Sequence, residues 1–272
     1  MGILNVTPDS FSDGGAYATV ENALTRARAM LEQGADIIDV GGESTRPGAQ
    51  PVSAREQIER TLPVIEELAK QTDRPLSIDT TQLEVARAAL AAGATIINDV
   101  SAGRGSDDQL FNLAAEQGTG LVLMHMRGQP TNMQQDPTYD HVVAEVKAFL
   151  LQRAAAAETA GVDRSQIVLD PGIGFGKTTR HNLLLLASLG DFVETGYPIL
   201  LGASRKRFLG ELTGLDHPED RAVPTAATTA VGVEAGVRIF RVHDVHINRL
   251  VADVTFSIHE HRNQGPEGHG TN

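Results

Sequence analysis

The residues able to do chemistry in this 272-residue chain gather where short apolar runs give way to glycine and polar side chains. The clearest case is Ile167-Val168-Leu169-Asp170-Pro171-Gly172-Ile173-Gly174-Phe175-Gly176-Lys177. Its β-branched start reads as a buried strand. A carboxylate follows where that strand leaves the core, and the glycines permit positive φ and close backbone approach to a ligand. Alone, this is equally an ordinary strand-to-helix loop with a helix-entry Asp. The pattern recurs, however, with Asn5, Asp79, Asn98, Met124, the run Ser204-Arg205-Lys206-Arg207, and Arg241 with His243, each at the end of an apolar run.

These residue types divide into two sets. Asp79, Asn98 and Asp170 are rich in acceptors and suit the edge of a flat heterocycle carrying several N–H donors, such as a guanidine-like or pterin edge. Met124 is placed to pack on a ring face, or is equally a core methionine. The other set is cationic. Residues 204–207 stand at a strand end and a helix start, where dipole and free N–H groups favour anions. Arg241 and His243 alternate along one run and so share a face, a pair suited to phosphate. The Asn5 amide oxygen can ligate Mg²⁺ beside phosphate oxygens, although no all-protein metal cage is visible. Together they suggest transfer chemistry with a phosphate or pyrophosphate leaving group.

The elements that must position them are eight short apolar runs alternating with helical patterns. The runs span residues 2–7, 36–41, 75–80, 94–100, 120–126, 167–170, 197–204 and 236–244. Helical periodicity covers 20–33, 53–71, 83–92, 107–117, 141–160, a segment from 179, 224–235 and 245–259. Ser53 with Glu56 forms a capping box, and Pro63 predicts a kink or break. Alternation of this kind predicts parallel βαβ units. Eight units in roughly 250 residues predict a single-domain (β/α)₈ barrel. An open doubly wound sheet is the alternative, but no GxGxxG follows the first strand and polar residues follow nearly every strand rather than one switch point. The barrel is expected over 1–261, with 262–272 a disordered tail. The chain enters its first strand almost at once, so a truncated or very compact start is expected.

Composition narrows the partners. The net charge of -12 argues against a duplex nucleic acid, which needs a basic field. Cysteine is absent, which excludes disulfides and thiol chemistry and fits a reducing compartment. Aromatics make up only 4% and Trp is absent, so the core must rest on Ala, Val, Ile and Leu. No run approaches the roughly 20 apolar residues of a membrane span, and no secretory signal pattern opens the chain. A cytoplasmic protein without membrane or nucleic-acid partners is expected.

The motif set closely resembles the bacterial dihydropteroate synthases. The stretch from Asn5 to Gly15 resembles their first signature, and Gly41 to Gly48 their second loop. Ser77-Ile78-Asp79-Thr80, Asn98-Asp99-Val100, Asp170 to Lys177, Ser204-Arg205-Lys206 and Arg241-Val242-His243-Asp244 match the remainder in order. The resemblance covers nearly the whole chain except its C-terminal tail. It implies that 6-hydroxymethyl-7,8-dihydropterin pyrophosphate is joined to p-aminobenzoate, giving dihydropteroate and pyrophosphate in folate synthesis, with Mg²⁺ as cofactor. It further implies a pterin pocket of Asp79, Asn98, Met124, Asp170, Gly202 and Lys206. Asn5, Arg241 and His243 would hold pyrophosphate, with Asn5 towards the metal. Thr45, Arg46, Pro47, Phe175, Lys206 and Arg207 would form the p-aminobenzoate pocket, with Phe11 and Asp13 closing over it. Asp79, Asp170, Lys206 and Asp13 would be the catalytic set. Arg207 departs from the family, many of whose members carry Ser there. The Asp170–Lys177 loop has no evident insertion, so sulfonamides are expected to inhibit. Homodimers through helices remote from the site are also implied.

Two other readings share part of this wall. A pterin-binding methyltransferase barrel would use Asp79, Asn98 and Asp170 but would not need the 204–206 and Arg241/His243 cations. A non-catalytic pterin-binding barrel should show a damaged first loop, and here that loop is intact. Lys206 alone is also compatible with a Schiff-base aldolase.

Overall fold

The computed structural model describes residues 1–7, 15–43, 50–128, 133 and 135–263, with the side chains of 15–19 and 263 outside the description. Its strands are β1 (Gly2–Asn5), β2 (Ile38–Gly41), β3 (Leu76–Asp79), β4 (Ile96–Asp99), β5 (Gly120–Met124), β6 (Ile167–Asp170), β7 (Leu200–Leu201) and β8 (Ile239–Phe240). The helices are α1 (Gly15–Glu32), α2 (Ala54–Gln71), α3 (Leu83–Ala91), α4 (Gln109–Gln117), α5 (Val142–Thr159), α6 (Thr179–Ala187), α7 (Leu189–Val193), α8 (Arg207–Thr213), α9 (Ala222–Glu234) and α10 (Val245–Asn263).

β1 to β6 pair in chain order, all parallel, and β7 pairs parallel with β8. Single parallel bridges, Leu169 with Ile199 and Gly2 with Val242, join the two pieces at both ends. The sheet therefore closes into the expected (β/α)₈ barrel, and its strand ends share one mouth. One hydrophobic cluster runs from Leu4 to Val245, built mostly of Ala, Val, Ile and Leu, with aromatic rings at Phe111, Phe192, Tyr197 and Phe208. No helix among the described residues is long and apolar enough to cross a membrane.

Several elements differ from the sequence reading. The apolar runs at 197–204 and 236–244 shrink to the two-residue strands β7 and β8. Pro198 cannot donate to a ladder, and outside the two strands the pairing is limited to the single bridges at Ile199 and Val242. Pro63 does not break α2, which runs unbroken from Ala54 to Gln71. Pro63 and Glu59 are both exposed, so water can satisfy the carbonyl that loses its donor, while buried Gln57, Thr61, Val64, Ile65 and Leu68 hold the other face to the barrel. The Ser53 side chain caps α2 by accepting from the Glu56 N–H, as its spacing predicts. The last helix continues through Arg262 to Asn263 rather than ending at 259. Residues 264–272 of the expected tail lie outside the described residues.

Candidate active site

Register sets the inner surface. Asn5 lies against Gly41, Gly41 against Asp79 and Asp79 against Asn98. Strand side chains alternate, so Ile3, Asp39, Ser77 and Ile96 form the layer beneath on the same face. Gly41 leaves a gap in the upper row, where a Cβ would stand 3.5 Å from the Asp79 Cβ and 3.7 Å from Asn5 Oδ1.

A buried charge cluster occupies these two layers. Arg241 Nε donates to Asp39 Oδ2 at 2.6 Å, and its Nη2 donates to Asp79 Oδ2 at 2.7 Å. Asn98 Nδ2 donates to the same Asp39 oxygen at 3.1 Å. Asp39 has no exposed surface, and among the described residues its Oδ1 and the Ser77 hydroxyl beside it meet no hydrogen-bond partner. Burial pushes the Asp79 carboxyl up to about 7; Arg241 opposes the rise and Asp39 adds to it. Burial alone would lower the Arg241 pKa, but the two carboxylates outweigh it and hold the guanidinium above its ordinary value.

The second wall comes from β6. Asp170 is buried, and its Oδ1 accepts from the Gly172 N–H at 2.7 Å. Burial raises its pKa to about 6, against the pull of that N–H, Lys206 and Lys177. Gly172 has φ +67, and no Cβ would fit between it and the His125 carbonyl, so this turn requires glycine. Phe175 packs with Val100, Met124, Met126 and Met133 in a small cluster separate from the main core. The Lys206 ammonium lies 3.9 Å from the Phe175 ring centroid, which brings the loops after β6 and β7 together. Met124 is thus a packing partner of Phe175 at the mouth.

The basic run after β7 splits by role. Arg205, at φ +57, is held by a two-point pair with Asp244 at 2.8 and 2.5 Å, so its charge is already neutralised where it borders the cavity and it fixes the loop. Ser204 Oγ accepts from the His243 N–H at 3.1 Å and lies 3.0 Å from its Nδ1, which orients the ring. Arg207 reaches outward to Glu211 at 2.8 Å, with 83% of its side chain exposed, and stands on the outer rim.

A cavity of about 860 Å³ opens over these groups, lined among others by Asn5, Phe175, Gly202, Lys206, Arg241 and His243. Asp79, Asn98, Met124 and Asp170 lie behind that lining, 3–6% exposed. Arg241 covers Asp79, and a Cβ on Gly202 would stand 3.6 Å from Asp170 Oδ2. A second cleft of about 450 Å³ opens at the N-terminal ends of the strands and holds none of the predicted residues.

The structure therefore brings Asn5, Asp79, Asn98, Met124, Asp170, Phe175, Gly202, Lys206, Arg241 and His243 to one mouth, with Arg207 at its edge. Phe11, Asp13, Thr45, Arg46 and Pro47 lie outside the described residues. Sequence reasoning did not single out Asp39, although a carboxylate two places before Gly41 in an apolar strand is a signal for an inward charge. It also gave no role to His125 or Lys177, whose side chains meet beneath the β6 loop.

The donor set bears on a metal. Among the described residues no group of three or more His, Asp or Glu could hold one. The Asn5 amide oxygen is a single hard ligand facing the anion sector. That fits Mg²⁺, which takes its remaining ligands from phosphate oxygens and water.

Comparison with known proteins places the whole chain beside one family. Residues 1–243 match the Pterin binding enzyme family. The chain is 45% identical over 254 residues to the dihydropteroate synthase of Synechocystis sp., covering 93% of this chain and 88% of that protein. Its fold is similar to that of Xanthomonas albilineans dihydropteroate synthase solved with 4-aminobenzoic acid, with a TM-score of 0.88 and 47% identity, covering 98% of this chain and 93% of the other. It is also similar to the Yersinia pestis dihydropteroate synthase in a sulfonamide drug complex, with a TM-score of 0.89 and 40% identity, covering 96% and 94%.

Proposed function

This chain belongs to the pterin-binding enzyme family, and within it we infer that the chain is a transferase of the dihydropteroate synthase type. It condenses 6-hydroxymethyl-7,8-dihydropterin pyrophosphate with p-aminobenzoate to give 7,8-dihydropteroate and pyrophosphate, a step of folate synthesis. The observation that carries this reading is the meeting of an acceptor wall (Asp79, Asn98, Asp170) and a cationic sector (Lys206, Arg241, His243) around one cavity. A methyltransferase reading leaves the cationic sector unexplained.

In this reading the aminopyrimidine edge donates to Asp170 and Asn98, Lys206 donates to the ring's acceptors, and Met124 and Gly202 line the pocket. The C–O bond between the exocyclic CH₂ and pyrophosphate breaks first. Arg241 and His243 receive the growing negative charge, and donors fixed in advance act best where water is excluded. The net negative Asp39–Arg241–Asp79 cluster favours the pterin-stabilised cation left behind. The weakly basic arylamine then attacks the CH₂, the C–N bond forms, and its surplus proton passes to solvent. Phe175 and Lys206 border the arylamine pocket, with Arg207 at its outer edge and Thr45, Arg46 and Pro47 assigned to it by resemblance. Phe11 and Asp13 are assigned in the same way to closure, which would keep water from the cation. Asn5 would hold Mg²⁺, which when bound neutralises the leaving pyrophosphate. A pyrophosphate ester is too highly charged to enter a bilayer unaided, which ties the enzyme to the compartment that holds this substrate, assigned here as the cytoplasm. Sulfonamides, arylamines of similar shape, are assigned as inhibitors competing with p-aminobenzoate.

The deciding experiment measures pyrophosphate release from the pterin pyrophosphate, with and without p-aminobenzoate and Mg²⁺. Release coupled to dihydropteroate and dependent on both is expected. Release that ignores p-aminobenzoate and yields no dihydropteroate would overturn the reading.

A dimer is part of the same reading. Leu250, Val254 and Ile258 are 52–61% exposed at four-residue spacing along α10, which packs against α9. This apolar face lies on the barrel's flank, away from the mouth, and suits a second copy. Sedimentation should give twice the 29.0 kDa chain mass, and Val254→Glu should give the monomer. A monomeric parent protein would remove this assignment.

A further inference from the structure

The loop after β6 reaches the cavity through Phe175, but the side chain that fixes it stands two places further on. Lys177 is 2% exposed. Its ammonium lies 2.9 Å from the Gly172 carbonyl, 3.0 Å from that of Phe175, 3.3 Å from that of His125 and 3.0 Å from His125 Nδ1. Two acceptors come from its own loop and two from the loop after β5, so one buried cation ties the loops together. Burial draws its pKa down to about 7, with Asp170 opposing the fall. The His125 ring, held to about 2 by burial and by Lys177, is neutral and can accept at Nδ1.

Packing around the tie leaves no slack. Neither Gly172 nor Gly176 has room for a Cβ against the carbonyls of His125 and Arg127. The Tyr139 hydroxyl donates to the Gly176 carbonyl at 2.8 Å, and the His125 ring meets Phe149 edge-on at 4.9 Å. Lys177 also accounts for the direction of the Phe175 carbonyl, and so for where the Phe175 ring stands under Lys206. An apolar residue in its place would take a buried donor from the Phe175 and His125 carbonyls and leave the Gly172 carbonyl with the Phe175 N–H at 3.1 Å.

We propose that Lys177 is a positioning residue for the arylamine half of the reaction, clamping the β5 and β6 loops so that Phe175 holds its place against Lys206. Its hydrogen bonds reach His125, Gly172 and Phe175 rather than the side chains of the pterin wall or the anion sector, while its charge helps to hold the Asp170 carboxyl down. This rests on the reaction assigned above. A purely structural lysine would lower stability and active fraction without favouring one substrate.

The test assays the parent enzyme, Lys177→Met, Phe175→Ala and the double variant, with each substrate varied in turn. Calorimetry reports pterin pyrophosphate binding without p-aminobenzoate. At a pH well above the Asp170 value of about 6, where loss of the lysine charge leaves that carboxylate ionised, Lys177→Met should raise KM for p-aminobenzoate by on the order of tenfold, with pterin affinity held within about twofold. The double variant should add little to the KM of Phe175→Ala, because both act through one ring. An unchanged p-aminobenzoate KM, or equal rises for both substrates, overturns the proposal. If Lys177→Met cannot be recovered folded, Tyr139→Phe, which frees the Gly176 carbonyl in the same loop, should give a smaller rise of the same selectivity; a rise shared by both substrates overturns it. A parent enzyme that makes no product overturns the assigned reaction instead.

Discussion

Replacing Asp170 with Asn should lower kcat/KM by about 10³-fold and leave the barrel folded. One Asp170 oxygen is already taken by the Gly172 N–H at 2.7 Å, so the other, beside Gly202, must meet the pterin edge. Asn has the same shape, but turns either an NH₂ towards the substrate's own donors or an NH₂ towards the Gly172 N–H. Hydrogen bonds to a charged group are each worth about 1.5–3 kcal/mol. Losing one of them, and leaving donor against donor at a further cost of about 1–3 kcal/mol, lowers kcat/KM by about 10³-fold. Stability should not suffer, because burial already disfavours the charged form. The pH profile carries the same signature. Asp79 and Asp170 are raised to about 7 and about 6, so both accept protons as pH falls and both then lose acceptor strength. The parent enzyme's kcat/KM is therefore full above these values and declines in two overlapping steps below about 7. Any residual activity of Asp170→Asn should keep only the upper step. Steady-state turnover beside a melting curve checks this, and near-full turnover by the variant would sink the assigned role.

The reason Asp170 was legible in the sequence is that it ends an apolar run, as do Asn5, Asp79 and Asn98. In a parallel barrel every such end faces one mouth, so counting runs was enough to gather them. The same counting overstated β7 and β8, since beyond two residues each their pairing thins to single bridges at Ile199 and Val242, which an apolar or alternating pattern does not reveal. Pro63 misled because local propensity carries no information about which helix face meets solvent. Pairing was harder still. The sequence shows that Arg241 is positive, but not that its Nε and Nη2 meet two carboxylates 202 and 162 residues away. Lys177 stood in the quoted motif, yet only the folded loop shows its ammonium turning inward to four acceptors instead of outward to an anion. Asp39 sits within its strand rather than at the end, so register, not composition, brings it beneath Asp79.

That position makes Asp39→Asn the second large effect. Asp39 Oδ2 is shared by Arg241 Nε and Asn98 Nδ2, and it lies wholly inside the barrel. As a carboxylate it balances the charge of Arg241 and leaves the Asp79 charge available to the pterin. The amide cannot do this. Arg241 would then lean its full charge on Asp79, and the cluster would change from net negative to neutral under the developing cation. On the order of 2–3 kcal/mol of transition-state stabilisation should go, lowering kcat by about 10²-fold. Stability should fall by less than the ~3–5 kcal/mol of a fully broken buried pair, since Asp79 still pairs with Arg241. The sign of the pH effect separates this from simple damage. Asp39 raises the Asp79 pKa, so its neutralisation lets Asp79 ionise at lower pH. The upper acid step, near 7 in the parent enzyme, should move down while the maximum rate falls. A loosened barrel would lower the rate with the step unmoved, and that outcome would show Asp39 to be scaffold rather than the counter-charge that sets Arg241 and Asp79 to work.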